Sequence, residues 1–195
     1  MNGQMIVTPS AEGIAASVKA AKGRGLPPVH SWNPPFCGDL DMRIARDGTW
    51  FYEGTPIGRP GLVRLFSTIL RKDGDQFFLV TPVEKVGITV DDAPFVAVDF
   101  EVTTGEAGQR LVFHTNVGDS VVAGQDTPLR FTRDAETGEP SPYVMVRARL
   151  EALIDRKSFY RLVELGAENV VDGVNWFGVW SDGAFFPMIP ADELP

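Results

Sequence analysis

The segment IGRPGLVRLF, beginning at Ile57, returns ninety-seven residues later as IDRKSFYRLV from Ile154. Both read Ile-x-Arg, two unmatched positions, two apolar or aromatic residues, then Arg-Leu and one more apolar residue. A spacing repeated in this way points to a chain of two related halves, each organised around one amphipathic helix. In the first, Leu62, Val63, Leu65, Phe66, Ile69 and Leu70 share a face, with Arg64, Ser67, Thr68 and Arg71 opposite. Pro60 suits the first turn, and Lys72-Asp73-Gly74 is the expected stop. In the second, Asp155 caps, Phe159, Tyr160, Leu162 and Val163 are expected to face inward, and Gly166 ends the helix.

Around these helices the chain reads as strands. Asp47-Gly48 lies between two β-prone runs in DLDMRIARDGTWFYEG and suits a two-residue hairpin turn. That turn would pair Arg43 with Tyr52, Ile44 with Phe51 and Ala45 with Trp50. Arg43 would then share a face with Asp41, Trp50 and Tyr52. From Ala93 to Leu150 short β-like runs alternate with turn residues, ending in YVMVRARL, which separates Val144, Val146, Ala148 and Leu150 from Tyr143, Met145, Arg147 and Arg149. NWFGVWSDGAFFPMIP adds another Asp-Gly hairpin, with Trp176, Trp180 and Phe185 expected to close the core. Ahead of all this, a thin apolar stripe (Ile14, Ala15, Val18, Ala21) predicts a helix over 9–22, capped by Thr8 or Ser10, and a Gly/Pro-rich connector follows it.

One stretch, FFLVTPVEKVGITVDD (77–92), opens as a buried strand and is interrupted by Thr81, Pro82, Glu84 and Lys85. Pro removes a ladder donor, which an edge or a crossing tolerates. The interruption is therefore read as the junction between units, with GITVDD starting the second. This gives a helical arm and connector over 1–30, a first α+β unit over 31–86 and a second, β-rich unit over 87–195.

A length of 195 residues and a formal net charge of −8 set the limits on function. The negative field disfavours bulk nucleic-acid binding, although a local Arg cluster could hold a small anion. No run approaches the roughly 18 apolar residues of a membrane span. One cysteine, Cys37, forbids an internal disulfide, so the plain reading is a cytoplasmic protein. His30 and His114 lie at no zinc-ligand spacing from Cys37, and no metal or cofactor is expected. Cys37, His114 and Asn116 supply the residue types of a Cys-His-Asn enzyme, but Cys37 leads into no helix N-terminus that would activate a thiol. No catalytic residue is assigned, and an enzyme is the least favoured class. There is no P-loop either, so a phosphate would need Arg side chains, with an aromatic ring stacking on a base. Arg43, Arg59 and Arg147, beside Trp50, Tyr52 and Tyr143, have those capacities. The plainer alternative is that they are structural pairs on solvated strand faces.

CGDLDMRIARDGTWFYEGTPIGR, FFLVTPVEK, HTNVGD, YVMVRARLEALIDRKSFYRLVE and GVWSDGAFF, occurring in that order, resemble a bacterial family known as domain of unknown function 1285. The resemblance spans about residues 30–187 and implies domain duplication, a pleckstrin-homology-like second domain, and a groove between domains for a nucleotide-like ligand, with a signalling role. It supplies no catalytic residues. The expectation is an α+β protein of two duplicated β-rich units, each with one amphipathic helix, preceded by the helical arm. An anionic, nucleotide-like ligand would be contacted by Arg43, Arg59 and Arg147 and stacked on by Trp50 and Tyr52, with Glu84, Lys85 and Asn116 lining the groove. The rival is a protein-interaction module whose groove or strand edge takes a peptide.

Overall fold

The computed structural model describes residues 8–21, 23 and 25–194. Two compact units divide between Asp91 and Asp92. In the first, α1 (Ala11–Ala20) starts at Ser10, whose Oγ accepts from the Gly13 N–H at 3.1 Å, and buries Ala11, Ile14, Ala15 and Val18. Lys22, the expected end of this helix, lies outside the described residues. α1 packs on α2 (Pro60–Ser67).

Six strands complete the unit: β1 (Phe36–Ile44), β2 (Trp50–Tyr52), β3 (Thr55–Pro56), β4 (Leu70–Asp73), β5 (Gln76–Val80) and β6 (Lys85–Val90). They form one sheet in the order β3-β2-β1-β6-β5-β4. Every neighbouring pair is antiparallel except β1 and β6, which run parallel at its centre.

The Asp47-Gly48 hairpin forms, but its register differs from the expected one. Ala45 N–H donates to the Thr49 carbonyl and Gly48 N–H to the Ala45 carbonyl, both at 2.9 Å, with Gly48 at φ +87°. This is a three-residue loop with a bulged glycine, not a two-residue turn. Ile44 therefore pairs with Trp50, Arg43 with Phe51 and Met42 with Tyr52. A one-residue slip exchanges the faces of a strand. Trp50 accordingly joins Met42 and Ile44 in the core, at 2% exposure, and Phe51 takes the place expected for it beside Arg43.

α2 also stops short of the expected Arg71. Ser67 Oγ and Thr68 Oγ1 donate back to the Arg64 and Leu65 carbonyls at 2.7 and 2.6 Å, satisfying acceptors at the helix end. Leu70 and Arg71 instead pair with Leu79 and Phe78 in the β4–β5 hairpin, which turns at Gly74 (φ +60°). The interruption at Thr81–Glu84 is a hairpin loop as well. Thr81 N–H donates to the Glu84 carbonyl, while Thr81 Oγ1 accepts from the Glu84 and Val83 amides. Val80 then pairs with Lys85 across β5 and β6. The run from Lys85 to Val90 thus belongs wholly to the first sheet, and the expected boundary at 86/87 falls inside β6.

The second unit contains β7 (Phe95–Gly105), β8 (Gly108–Thr115), β9 (Ser120–Val122), β10 (Leu129–Arg133), β11 (Pro140–Arg147) and β12 (Leu150–Ile154), ordered β10-β11-β12-β7-β8-β9. YVMVRARL is split by a turn in which Ala148 and Arg149 have φ of +44° and +68°. α3 (Arg156–Glu164) follows, its first turn closed by Asp155 Oδ1 accepting from the Ser158 N–H at 2.8 Å. Its buried face is Ser158 and Leu162, whereas Tyr160, expected inside, is 61% exposed. β13 (Ala167–Val171), β14 (Val174–Ser181) and β15 (Ala184–Pro190) make a separate antiparallel sheet. There Val179, Ser181 and Phe186 are buried, and Trp180 is 40% exposed against Phe185.

In both large sheets the first and last of six strands form a central parallel seam, flanked on each side by an antiparallel meander. The sequence repeat runs in a different phase. Ninety-seven residues after Leu70 stands Ala167, so α2-β4-β5-β6 corresponds in order and spacing to α3-β13-β14-β15. In the first unit that meander closes the sheet; in the second it stands apart.

Candidate functional site

The two seams share a topology and differ in detail. In the second unit β12 pairs with β7 without a break, Ala152 with Phe95, Leu153 with Val96 and Ile154 with Ala97, and these side chains are nearly all buried. In the first, the β1–β6 ladder shifts register twice, between Phe36 and Asp39 and again between Asp39 and Arg43. Gly38, at φ +98°, lies in the first of these bulges. Bulges are uncommon between parallel strands and gather where a strand must re-aim side chains.

A cleft of about 550 Å³ opens over this irregular seam. Phe36, Asp39, Asp75, Phe78, Gly87 and Thr89 are among its lining residues, and none of the lining residues is Lys, Arg or His. Gly87 is there for space, since a Cβ at that position would lie 2.1 Å from Asp39 Oδ1. Phe36 meets Phe78 edge-on at 6.1 Å between centroids. A smaller hollow of about 220 Å³ continues past the shared residues Leu40 and Thr89 to Arg43 and Phe51.

Arg43 and Lys85 mark opposite ends of the seam, aligned with Thr89 and Phe36 respectively. Each already has a carboxylate. Arg43 Nη1 lies 2.5 Å from Asp91 Oδ2, with its guanidinium over Phe51 at 4.6 Å. Lys85 Nζ lies 2.7 Å from Asp73 Oδ2 and 4.0 Å from the Phe78 centroid. Asp73 is shared with Arg71 at 2.9 Å, and Arg71 Nη1 donates to the Val29 and Trp32 carbonyls, tying the connector to β4. Burial alone would raise the Asp73 carboxyl, but hydrogen bonds from Lys85 and Arg71 outweigh it and hold it below the usual carboxylate range. Burial raises Glu84, which sits in the hairpin loop.

The remaining sequence-predicted residues are dispersed. Trp50 stacks on Phe66 in the core and offers no face to a ligand. Tyr52 is half-buried opposite Met42, and Arg59 is exposed at the residue before α2. Asn116 and Arg147 belong to the second unit. Asn116 Oδ1 accepts from the Val96 N–H at 3.0 Å, and Asn116 N–H donates to the Val96 carbonyl, a structural clasp. Arg147 pairs with Asp119 and lies over Phe95. Cys37 Sγ contacts the Pro35 carbonyl, and His114 Nδ1 contacts Ser120 Oγ. Sequence reasoning missed Phe36, Asp39, Asp75 and Gly87. The available signal was the glycine inside the strand-like KVGITV, which marks a bulge or a close approach.

The fold defines a two-domain α+β protein with a bulged seam in its first sheet. Residues 27–93 match the N-terminal domain, and residues 94–188 the C-terminal domain, of the protein family of unknown function DUF1285, and the chain belongs to that family. It is similar to the crystal structure of a DUF1285 family protein from Silicibacter pomeroyi DSS-3, with 64% identity over 94% of this chain and 98% of that one and a TM-score of 0.83. A DUF1285 family protein from Shewanella baltica OS155 is similar at 28% identity over 64% of this chain and 91% of that one, with a TM-score of 0.52. No curated protein matches. No described helix is long and apolar enough to cross a membrane.

Proposed function

We propose that this is a non-enzymatic recognition protein whose first unit takes a segment of a partner protein in the β1–β6 seam cleft. The supporting observation is the contrast between the two seams: one topology occurs twice, and only in the first copy does the seam ladder shift register, beneath a cleft lined by apolar residues together with Asp39, Asp75, Gln76 and Thr89. The fold alone does not require such a break. The cleft's volume is within the roughly 300–1,000 Å³ of ordinary ligand sites, and its open form suits a protruding side chain. A signalling role in the cytoplasm and a pleckstrin-homology-like second unit belong to this reading, supported by the single cysteine and by a β-rich unit followed by a helix.

Peptide-display selection on the intact protein, with Thr89→Arg as the counter-selected variant, tests it. Thr89 is exposed on the cleft wall, so the variant fills the cleft without disturbing the core. Enriched peptides should bind the parent and not the variant; selections that never discriminate between them sink the proposal. An anionic, nucleotide-like ligand between the units is the weaker reading, because Arg43, Lys85 and Arg147 are each paired with a carboxylate. Thermal stabilisation by a nucleotide, lost in Arg59→Ala and Arg147→Ala, would restore it.

A further inference from the structure

The second unit holds a hollow of another kind. About 160 Å³ of space lies between β10, α3 and the β14–β15 pair, walled by Phe131, Phe159, Val163, Phe177, Met188 and Leu194 among others. Phe131 and Phe159 approach with ring centroids 6.3 Å apart, and both are only half-buried. Close packing normally removes such a space, because side chains around a void lose contacts. Two local features shape this one. Phe177 pairs with Ile189 and Gly178 with Pro187, which leaves Met188 as the extra residue of a bulge, and Met188 stands on the wall. Bulges re-aim side chains and gather beside functional sites. At the end of α3, a Cβ on Gly166 would lie 1.9 Å from Phe177 Cζ, so this ring leans on bare backbone.

The charges at the rim are already matched. Arg133, the one charged residue among the described lining residues, has Nη1 3.1 Å from Glu193 Oε2. Glu139, between the lining residues Gly138 and Pro140, is held by Arg156 at 3.2 Å. An ion would have to displace one of these partners, whereas a neutral apolar group is driven in by the removal of its surface from water. We propose that the hollow is a second ligand site, distinct from the seam cleft, taking a neutral apolar group the size of a single ring or a chain of about six carbons. Apolar cavities of about 150 Å³ stay dry and bind benzene, and drug-sized ligands need roughly 300 Å³ or more. Met188, unbranched and polarizable, adapts its wall to the occupant.

Methyl chemical shifts of Met188 and Val163 in the full chain, titrated with 1-hexanol, sodium hexanoate and hexylammonium chloride, test the proposal. Hexanol should shift both methyls saturably, and the two ions should bind at least tenfold more weakly. Val163→Trp fills the space from an exposed position on α3 and should abolish the Met188 response. Leu194→Ala removes one wall from an exposed position, keeps the fold, and should weaken the response several-fold. Either ion binding as tightly as hexanol overturns the neutral class of ligand. A Met188 response to hexanol that is unchanged in both variants, or no saturable response to any of the three compounds, overturns the site itself.

Discussion

The Asp39 carboxylate occupies the space that a side chain on Gly87 would fill, with Oδ1 2.1 Å from the position of a Cβ there. Gly87 is not in the left-handed region, so its backbone accepts alanine, and the obstacle is the mobile end of an exposed side chain. Gly87→Ala should therefore swing Asp39 aside at little cost, offset by the roughly 0.5–1 kcal/mol that Ala gains over Gly within a strand. The expected result is an unchanged or slightly raised Tm. A large loss of Tm would mean that the carboxylate cannot move and that the contact is structural.

Asp73 gives the first unit an acid-sensitive tie. Its folded-state pKa is depressed, so its contribution is present above the unfolded value of about 3.9 and is lost as pH falls through the lower, folded value. Asp73→Asn should remove that part of the acid dependence. It also leaves Arg71, only 8% exposed, without its carboxylate, at a cost of about 1–3 kcal/mol at pH 7. Urea unfolding of both proteins at pH 7 and pH 3 checks this: the gap between them should narrow in acid. A gap that stays constant would show that Asp73 is not the titrating partner.

Trp50 and Phe51 exchange the roles that the hairpin sequence suggests. Trp50→Ala should cost about 3–5 kcal/mol, as for other large core aromatics. Phe51→Ala removes a half-exposed ring over Arg43 and should cost about 0.5–1 kcal/mol. Denaturant midpoints of the two variants measure this, and the reverse order would restore the two-residue turn.

That exchange shows where sequence reading stops. Asp47-Gly48 announces a hairpin, but two-residue and three-residue loops share that dipeptide, and the choice between them moves every side chain to the other face. In the same way, Leu70 and Arg71 continue the helical spacing of α2 yet sit in β4, because pairing with Phe78 and Leu79 outweighs local preference. Thr81 to Glu84 reads as a boundary since a proline in a strand and a proline in a hairpin loop look alike in one dimension. The two helices, the strand-rich second half and the Asp155 cap were readable because each rests on local periodicity or a cap. The cleft depends on Asp39 meeting Gly87 across a parallel pair forty-eight residues apart in sequence, and no local pattern carries that.

Ser181 ties the small sheet of the second unit to the large one. Fully buried, it accepts from the Leu111 N–H at 2.9 Å and donates to the Ala123 carbonyl at 2.7 Å, bridging β14 to β8 and to the residue after β9. Beside it, Asp182 N–H donates to the Gln109 carbonyl and Gln109 Nε2 to the Trp180 carbonyl. Replacing the hydroxyl by hydrogen strands one backbone donor and one acceptor away from water, each of which must be satisfied in a folded chain. Ser181→Ala should thus cost about 1–3 kcal/mol and speed exchange of the Leu111 amide above the change in global stability. Native-state hydrogen exchange followed residue by residue measures both. If Leu111 protection falls only in step with global stability, the bridge contributes nothing beyond its packing; the expected excess loss at Leu111 would show that the Ser181 hydroxyl holds this part of the small sheet on the large one.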